Sequence, residues 1–124
     1  MKKFKLYCPK CNKYISDSEL FFVDDISAIH YHNGKFHECI KIDNTAKKDN
    51  QGKHIYNYDV LKVPIKVKTK FANAYIPIKY IVVYSDRRKK WIAEQIKYQS
   101  EFPYRLKLSD IASKSQVESS LYAI

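Results

Sequence analysis

Apolar and polar positions alternate with a period of two along much of the chain, and the alternation predicts strands as far as Tyr84. Residues 3–7 (KFKLY) and 13–15 place aromatic and aliphatic side chains on either side of a Cys-Pro-Lys-Cys turn, which predicts a short hairpin. A brief apolar run at 20–23 predicts a further strand, and Asp24-Asp25 reads as a turn rather than as a catalytic carboxylate pair. The clearest local signal comes next: AIHYH, then Asn33-Gly34, then KFHECIKI. Both central residues of a type I′ turn need positive φ, which Asn tolerates and Gly adopts freely, so Asn-Gly between β-prone runs predicts a tight hairpin. Its pairing sets His32 opposite Lys35, Tyr31 opposite Phe36, His30 opposite His37 and Ala28 opposite Cys39. Side chains alternate faces along a strand, so His30, His32, His37 and Cys39 collect on one face.

Residues 43–53 (DNTAKKDNQGK) are polar, contain Gly52 and show no periodicity, which predicts an exposed loop. From 60 to 71, Leu61, Val63, Ile65, Val67 and Phe71 share one parity while Lys62, Lys66, Lys68 and Lys70 share the other, as in a half-buried strand. Pro64 predicts a sheet edge or a bulge there. Residues 76–84 (IPIKYIVVY) are apolar on both parities apart from Lys79, which predicts a central strand buried on both faces. Ser85 or Asp86 is placed to cap a helix over RRKKWIAEQIKYQ, and Ser109 to cap a second one from Asp110 toward the C-terminus. Strands first and helices last predict an α+β fold: a small antiparallel sheet with one or two C-terminal helices. The expected organisation is a hairpin lobe at 1–42, a loop at 43–53 and an α+β portion at 54–124, all within one domain.

Composition adds a charge. The 124 residues hold 23 Lys and Arg against 13 Asp and Glu, a formal +10, with 45% hydrophobic content to build a core. Such a field favours polyanions or acidic protein faces, although an AT-rich genome produces the same Lys, Tyr and Ile bias with no binding role. No stretch approaches the roughly 20 apolar residues of a membrane span, and the start MKKFKLYCPK turns polar too early for a signal peptide. The expectation is a cytoplasmic protein with no membrane partner.

Three cysteines, two of them in Cys8-Pro9-Lys10-Cys11, form a poor disulfide framework and a good start to a metal site. A C-x2-C turn offers two thiolates at the right separation, with backbone N–H groups aimed at the sulfurs. Asn12 is next in the chain, at a position that favours left-handed φ. These residues resemble the knuckle of zinc-ribbon and treble-clef zinc-finger proteins, typically C-P-x-C-G; the resemblance spans residues 7–15. Those families supply a second C-x2-C or H-x2-C pair, where this chain offers His37-Glu38-Cys39. The expected ion is Zn²⁺, held by Cys8, Cys11, Cys39 and His37, with His30 or His32 as substitutes for His37. Three thiolates and one imidazole close the coordination sphere, so the site is expected to be structural. A thioredoxin-like redox role fits less well, because that motif opens a helix and these flanks read as strands.

The charge excess lies elsewhere, with 13 Lys and Arg against 4 Asp and Glu from residue 53 to residue 107. Lys62, Lys66, Lys68 and Lys70 on one strand face, and Arg87, Arg88, Lys89 and Lys90 at a helix start, form the expected nucleic-acid-binding set, with interleaved tyrosines available to stack on bases. Positive charge in a helix's first turn opposes the macrodipole, so RRKK serves a partner better than it serves a helix. No G-x-S-x-G, Gly-rich phosphate loop or H-E-x-x-H is present. The sequence therefore points to a zinc-stabilised, non-enzymatic protein that binds DNA, RNA or a ribonucleoprotein. The alternatives are a phage-type or mobile-element-type regulator or inhibitor docking an acidic protein face and, more weakly, a metal-dependent nuclease.

Overall fold

The computed structural model describes residues 4–24, 27–68 and 70–122. It is 59% strand and 6% helix, so the α+β expectation is corrected to a nearly all-β protein. The chain forms two compact units, one ending at Asn44 and the other beginning at Thr45.

In the first unit, β1 (Phe4–Cys8) and β2 (Lys13–Tyr14) pair antiparallel around the Cys8–Cys11 turn, with Tyr7 opposite Tyr14 and Cys8 opposite Lys13. The remaining strands of this unit are β3 (Phe21–Val23), β4 (Ala28–His32) and β5 (Lys35–Glu38), a three-stranded sheet with β4 in the middle. The other edge of β1 pairs with the start of β6 (Ile40–Lys48), Leu6 opposite Lys41. The Ser27 N–H bonds the Asp24 carboxylate at 2.7 Å in the β3–β4 turn, while Asp25 lies outside the described residues. The β4–β5 register obeys the Asn-Gly arithmetic: His30 pairs with His37, Tyr31 with Phe36 and His32 with Lys35, and Cys39 N–H donates to Ala28 O at 2.8 Å. Asn33 and Gly34 have φ of 51° and 77°, the left-handed pair that a type I′ turn requires. Gly34→Val is expected to cost about 1–2 kcal/mol, because a β-branched residue resists that φ; urea unfolding of the variant measures it.

This unit has little to hold it. Leu6, Cys8, Ile15 and Ala28 form its buried cluster, with Phe4, Phe21, Val23 and two cysteines packed alongside, and Tyr7 and Ile42 are buried as well.

The second unit carries the main core. The later part of β6 belongs to it, and β6 has β7 (His54–Tyr56) as its neighbour. A five-stranded sheet then assembles from β8 (Asp59–Lys68), β9 (Asn73–Ser85), β10 (Lys90–Gln95), β11 (Arg105–Lys107) and β12 (Gln116–Ser120), in the order β11-β10-β9-β8-β12. Between β11 and β12 lie one helical turn, α1 (Leu108–Ile111), and a 3-10 turn at Ala112–Lys114. Leu61, Val63, Ile78, Tyr80, Val82, Ala93 and Val117 share one sheet face and pack with Ile55, Leu108, Ile111 and Ala112. The opposite face is the lysine parity of β8.

Four expectations are corrected here. RRKKWIAEQIKYQ forms no helix: Asp86–Lys89 turns the chain, and β10 is a strand paired with both β9 and β11. The second helix shrinks to α1 and the 3-10 turn, and Val117 belongs to a strand. Most of the expected loop at 43–53 is β6, leaving a turn at its end. Strand β9 is central, but it fully buries one face only: Tyr80 and Val82 are enclosed, whereas Ile81 and Val83 on the other face are half-buried. Pro64 sits as anticipated on an open stretch of β8, since β12 pairs with that strand only as far as Lys62 among the described residues.

Candidate functional site

The knuckle adopts the local geometry its sequence implies. Asn12 has φ of 52°, the Cys11 N–H points at Cys8 Sγ at 3.4 Å, and the Tyr7 hydroxyl donates to the Asn12 side-chain carbonyl. Strand β1 delivers Cys8 fully buried, and the β1–β2 turn carries Cys11 beside it.

Of the three histidines on the hairpin, His30 is the one that meets the thiols. One ligand atom each from Cys8, His30 and Cys39 lie within 4.8 Å of one another, and His30 Nε2 is 3.6 Å from Cys11 Sγ. The sheet order explains the choice. His30 is on the middle strand, so its side chain is fully buried, whereas His37 is on the edge strand β5. His37 and His32 stay close, their ring centroids 5.6 Å and 6.0 Å from that of His30. The expected collection of His30, His32, His37 and Cys39 thus lies on one hairpin face, and of the three histidines His30 is the one grouped with Cys8 and Cys39.

The electrostatics of these groups favour neutrality. Burial, reinforced by the neighbouring Cys8, pushes the Cys39 thiol up to about 11 and raises Cys11. Burial lowers His30, with its neighbours His37 and His32 adding to the effect, and so keeps the imidazole in the neutral form a metal requires. His30 Nδ1 and His37 Nδ1 are buried without a hydrogen-bond partner among the described residues. Beside the cluster, Lys13 is held by Glu19 at 2.6 Å, and that ion pair, with the Ser16 backbone N–H, draws the Glu19 carboxyl down to about 2. Sequence reasoning missed Lys13 and Glu19; the adjacency of Lys13 to the knuckle was the available signal.

The basic residues divide into two groups. Lys62, Lys66 and Lys68 project from β8, all three exposed, and Lys70 lies in the β8–β9 connection. Register adds residues from β9: Lys62 faces Lys79, Lys66 faces Tyr75 and Lys68 faces Asn73. Arg87, Arg88 and Lys89 form the β9–β10 turn and Lys90 opens β10, all exposed. Along β9 the partners of Lys62 and Lys68, Lys79 and Asn73, precede Ser85, the partner of Lys90, so at ~3.3 Å per residue the first group is spread from about 20 Å to about 40 Å from the second rather than joining it in one compact patch.

Comparison of the chain with protein-family models, with curated proteins and with solved structures gave no match. No helix among the described residues is long and apolar enough to cross a membrane.

Proposed function

We propose that this is a zinc-stabilised basic protein that binds nucleic acid through the open face of its five-stranded sheet. The observation that carries the reading is the pairing of Lys62 directly opposite Lys79 on that face. Like charges in register across an antiparallel pair destabilise a sheet, and among the described residues only Lys79 has a counter-ion, Glu118 at 3.7 Å. An arrangement that costs the fold stability is explained by a polyanionic partner that relieves it. Lys90 and Lys107 extend the same face across β10 and β11, since Lys90 pairs with Ser85 and Lys107 with Ile92.

Zinc supplies what the first unit lacks. A unit of about 40 residues with so small a core needs a staple, and three thiols with one neutral imidazole are the donor set of a closed structural zinc site. An electrophoretic shift assay with mixed DNA and RNA tests the binding role: the expected result is retardation that weakens steeply as salt rises, and no salt-dependent shift with either polymer sinks it.

One observation favours a protein partner instead. Phe22, Tyr31 and Phe36 are exposed on the outer face of the β3-β4-β5 sheet, with Phe36 5.1 Å from Tyr31 and 6.1 Å from Phe22 between ring centroids. Aromatic clusters of this kind anchor protein interfaces. A partner that survives nuclease treatment of a lysate and is lost on Phe36→Ser would support this second reading.

A further inference from the structure

The ladder between β8 and β9 runs on to Lys68 opposite Asn73, well beyond the strands that flank it. Among the described residues, β12 pairs with β8 only over Asp59–Lys62, and β10 pairs with β9 only from Tyr80 onward. The remainder is a two-stranded ribbon, residues 64–77, which begins just beyond the hydrogen bond from the Ile96 N–H to Lys79 O at 3.3 Å. At ~3.4 Å per residue it extends about 15 Å past the sheet, tip excluded. Isolated two-stranded ribbons are marginal in water, so a ribbon of this length is a costly feature to keep without a use.

Its chemistry is one-sided. From residue 62 to residue 79 there are five Lys and no Asp or Glu. Lys66 and Lys68 stand on the ribbon's polar face beside Tyr75 and Asn73, and Phe71 at the tip is 92% exposed. Pro64 lies directly opposite Pro77 at the base. Neither residue has an N–H, so this must be a non-hydrogen-bonded pair whose missing donors would have pointed outward. Both ribbon edges are thereby poor templates for an added strand, which argues against a partner that docks by strand addition.

We infer that this ribbon is a groove-reading arm for double-stranded DNA; the inference rests on the nucleic-acid reading above and names its substrate class. A protruding two-stranded ribbon matches the major groove of B-form DNA, about 12 Å wide and about 8.5 Å deep, with lysines left to meet the flanking phosphates. The deep, narrow major groove of an RNA duplex does not admit side chains, and a single strand is bound by stacking platforms, whereas this polar face carries one aromatic among its lysines.

Fluorescence anisotropy on the full chain tests the arm against three labelled probes of one mixed sequence: a DNA duplex, its single strand and the matching RNA duplex. Two triple variants each remove three charges, K66Q/K68Q/K70Q in the arm and R87Q/R88Q/K89Q in the β9–β10 turn. The arm variant is expected to weaken duplex DNA binding about 30-fold or more and to flatten the slope of log K against log salt by about 3, with the turn variant losing less than about 5-fold. Circular dichroism confirms that both variants fold. Equal losses from the two variants, or equal binding of the three probes by the wild type, overturn the arm while leaving nucleic-acid binding in place. Failure of the wild type to bind any probe at low salt overturns both.

Discussion

Treating the purified protein with a zinc chelator is expected to unfold the first unit and to leave the second folded. Apparent free energies of structural zinc binding are on the order of 10 kcal/mol or more, as large as everything that burying Leu6, Tyr7, Ile15, Ala28 and Ile42 supplies at roughly 1.5–3 kcal/mol for each large side chain. Amide hydrogen exchange resolved along the chain would show protection lost up to Asn44 and retained in β8, β9 and β10. Metal analysis by mass spectrometry separates the ligands. Cys8→Ser, Cys39→Ser and His30→Ala are expected to lose zinc, and His37→Ala to retain most of it, because only His30 of the two joins the thiols. A full complement of zinc in Cys8→Ser or Cys39→Ser would refute the donor set. Zinc binding would release protons, because burial holds the Cys39 thiol above its usual range, and affinity is therefore expected to fall as pH is lowered.

The parts of this site that the sequence discloses are those set by short-range chemistry. Asn33-Gly34 fixes a register, the register fixes a face, and Asn12 discloses the knuckle's left-handed residue. The choice between His30 and His37 is not local. It depends on β3 pairing with β4 and making it a middle strand, and Phe21, opposite His30, gives no sign of that in advance.

The missed strand β10 shows a different limit. Ser85 does behave as a helix cap would, its hydroxyl oxygen accepting the Arg88 N–H at 3.2 Å, but Lys89 then takes φ of 55° and turns the chain back. The same local hydrogen bond opens a turn or a helix, and tertiary pairing decides between them. Ile92, Ala93 and Gln95 are buried on a strand flanked by β9 and β11, and their burial overrides the helical propensity of Arg, Lys, Ala and Glu. Strand β6 was hidden for the opposite reason. In its second half only Thr45 is buried, donating its hydroxyl to Ile55 O at 2.7 Å, and Ala46 at φ 66° interrupts the alternation. The basic residues were legible as a set but not as a shape, because the long β9 separates the two groups.

Asp49→Asn is expected to destabilise the second unit by about 2–4 kcal/mol, out of proportion to one polar residue in a turn. Asp49 is buried, and its carboxylate accepts three backbone N–H groups: Gln51 at 2.9 Å, Lys53 at 2.8 Å and Val117 at 2.9 Å. The last of these ties the turn after β6 to β12, 68 residues away, next to the Asn50 N–H bond to Ser115 O at 2.8 Å. Hydrogen bonds to a charged acceptor contribute roughly 1.5–3 kcal/mol each, and an amide in the same place offers one oxygen and turns a donor toward an existing donor. Burial by itself would raise the Asp49 pKa, but the three donors outweigh it and hold the group below its usual 3.8. A lowered folded-state pKa means that this stability is fully present above about 3.8, the unfolded value, and is lost as pH falls through the lower folded value. Urea midpoints at pH 7 and through the acid range measure both effects. The wild type should lose its advantage over Asp49→Asn as the solution is acidified below about pH 4, and a constant difference between the two down to about pH 2 would show that the carboxylate's charge is not what holds β12 in place.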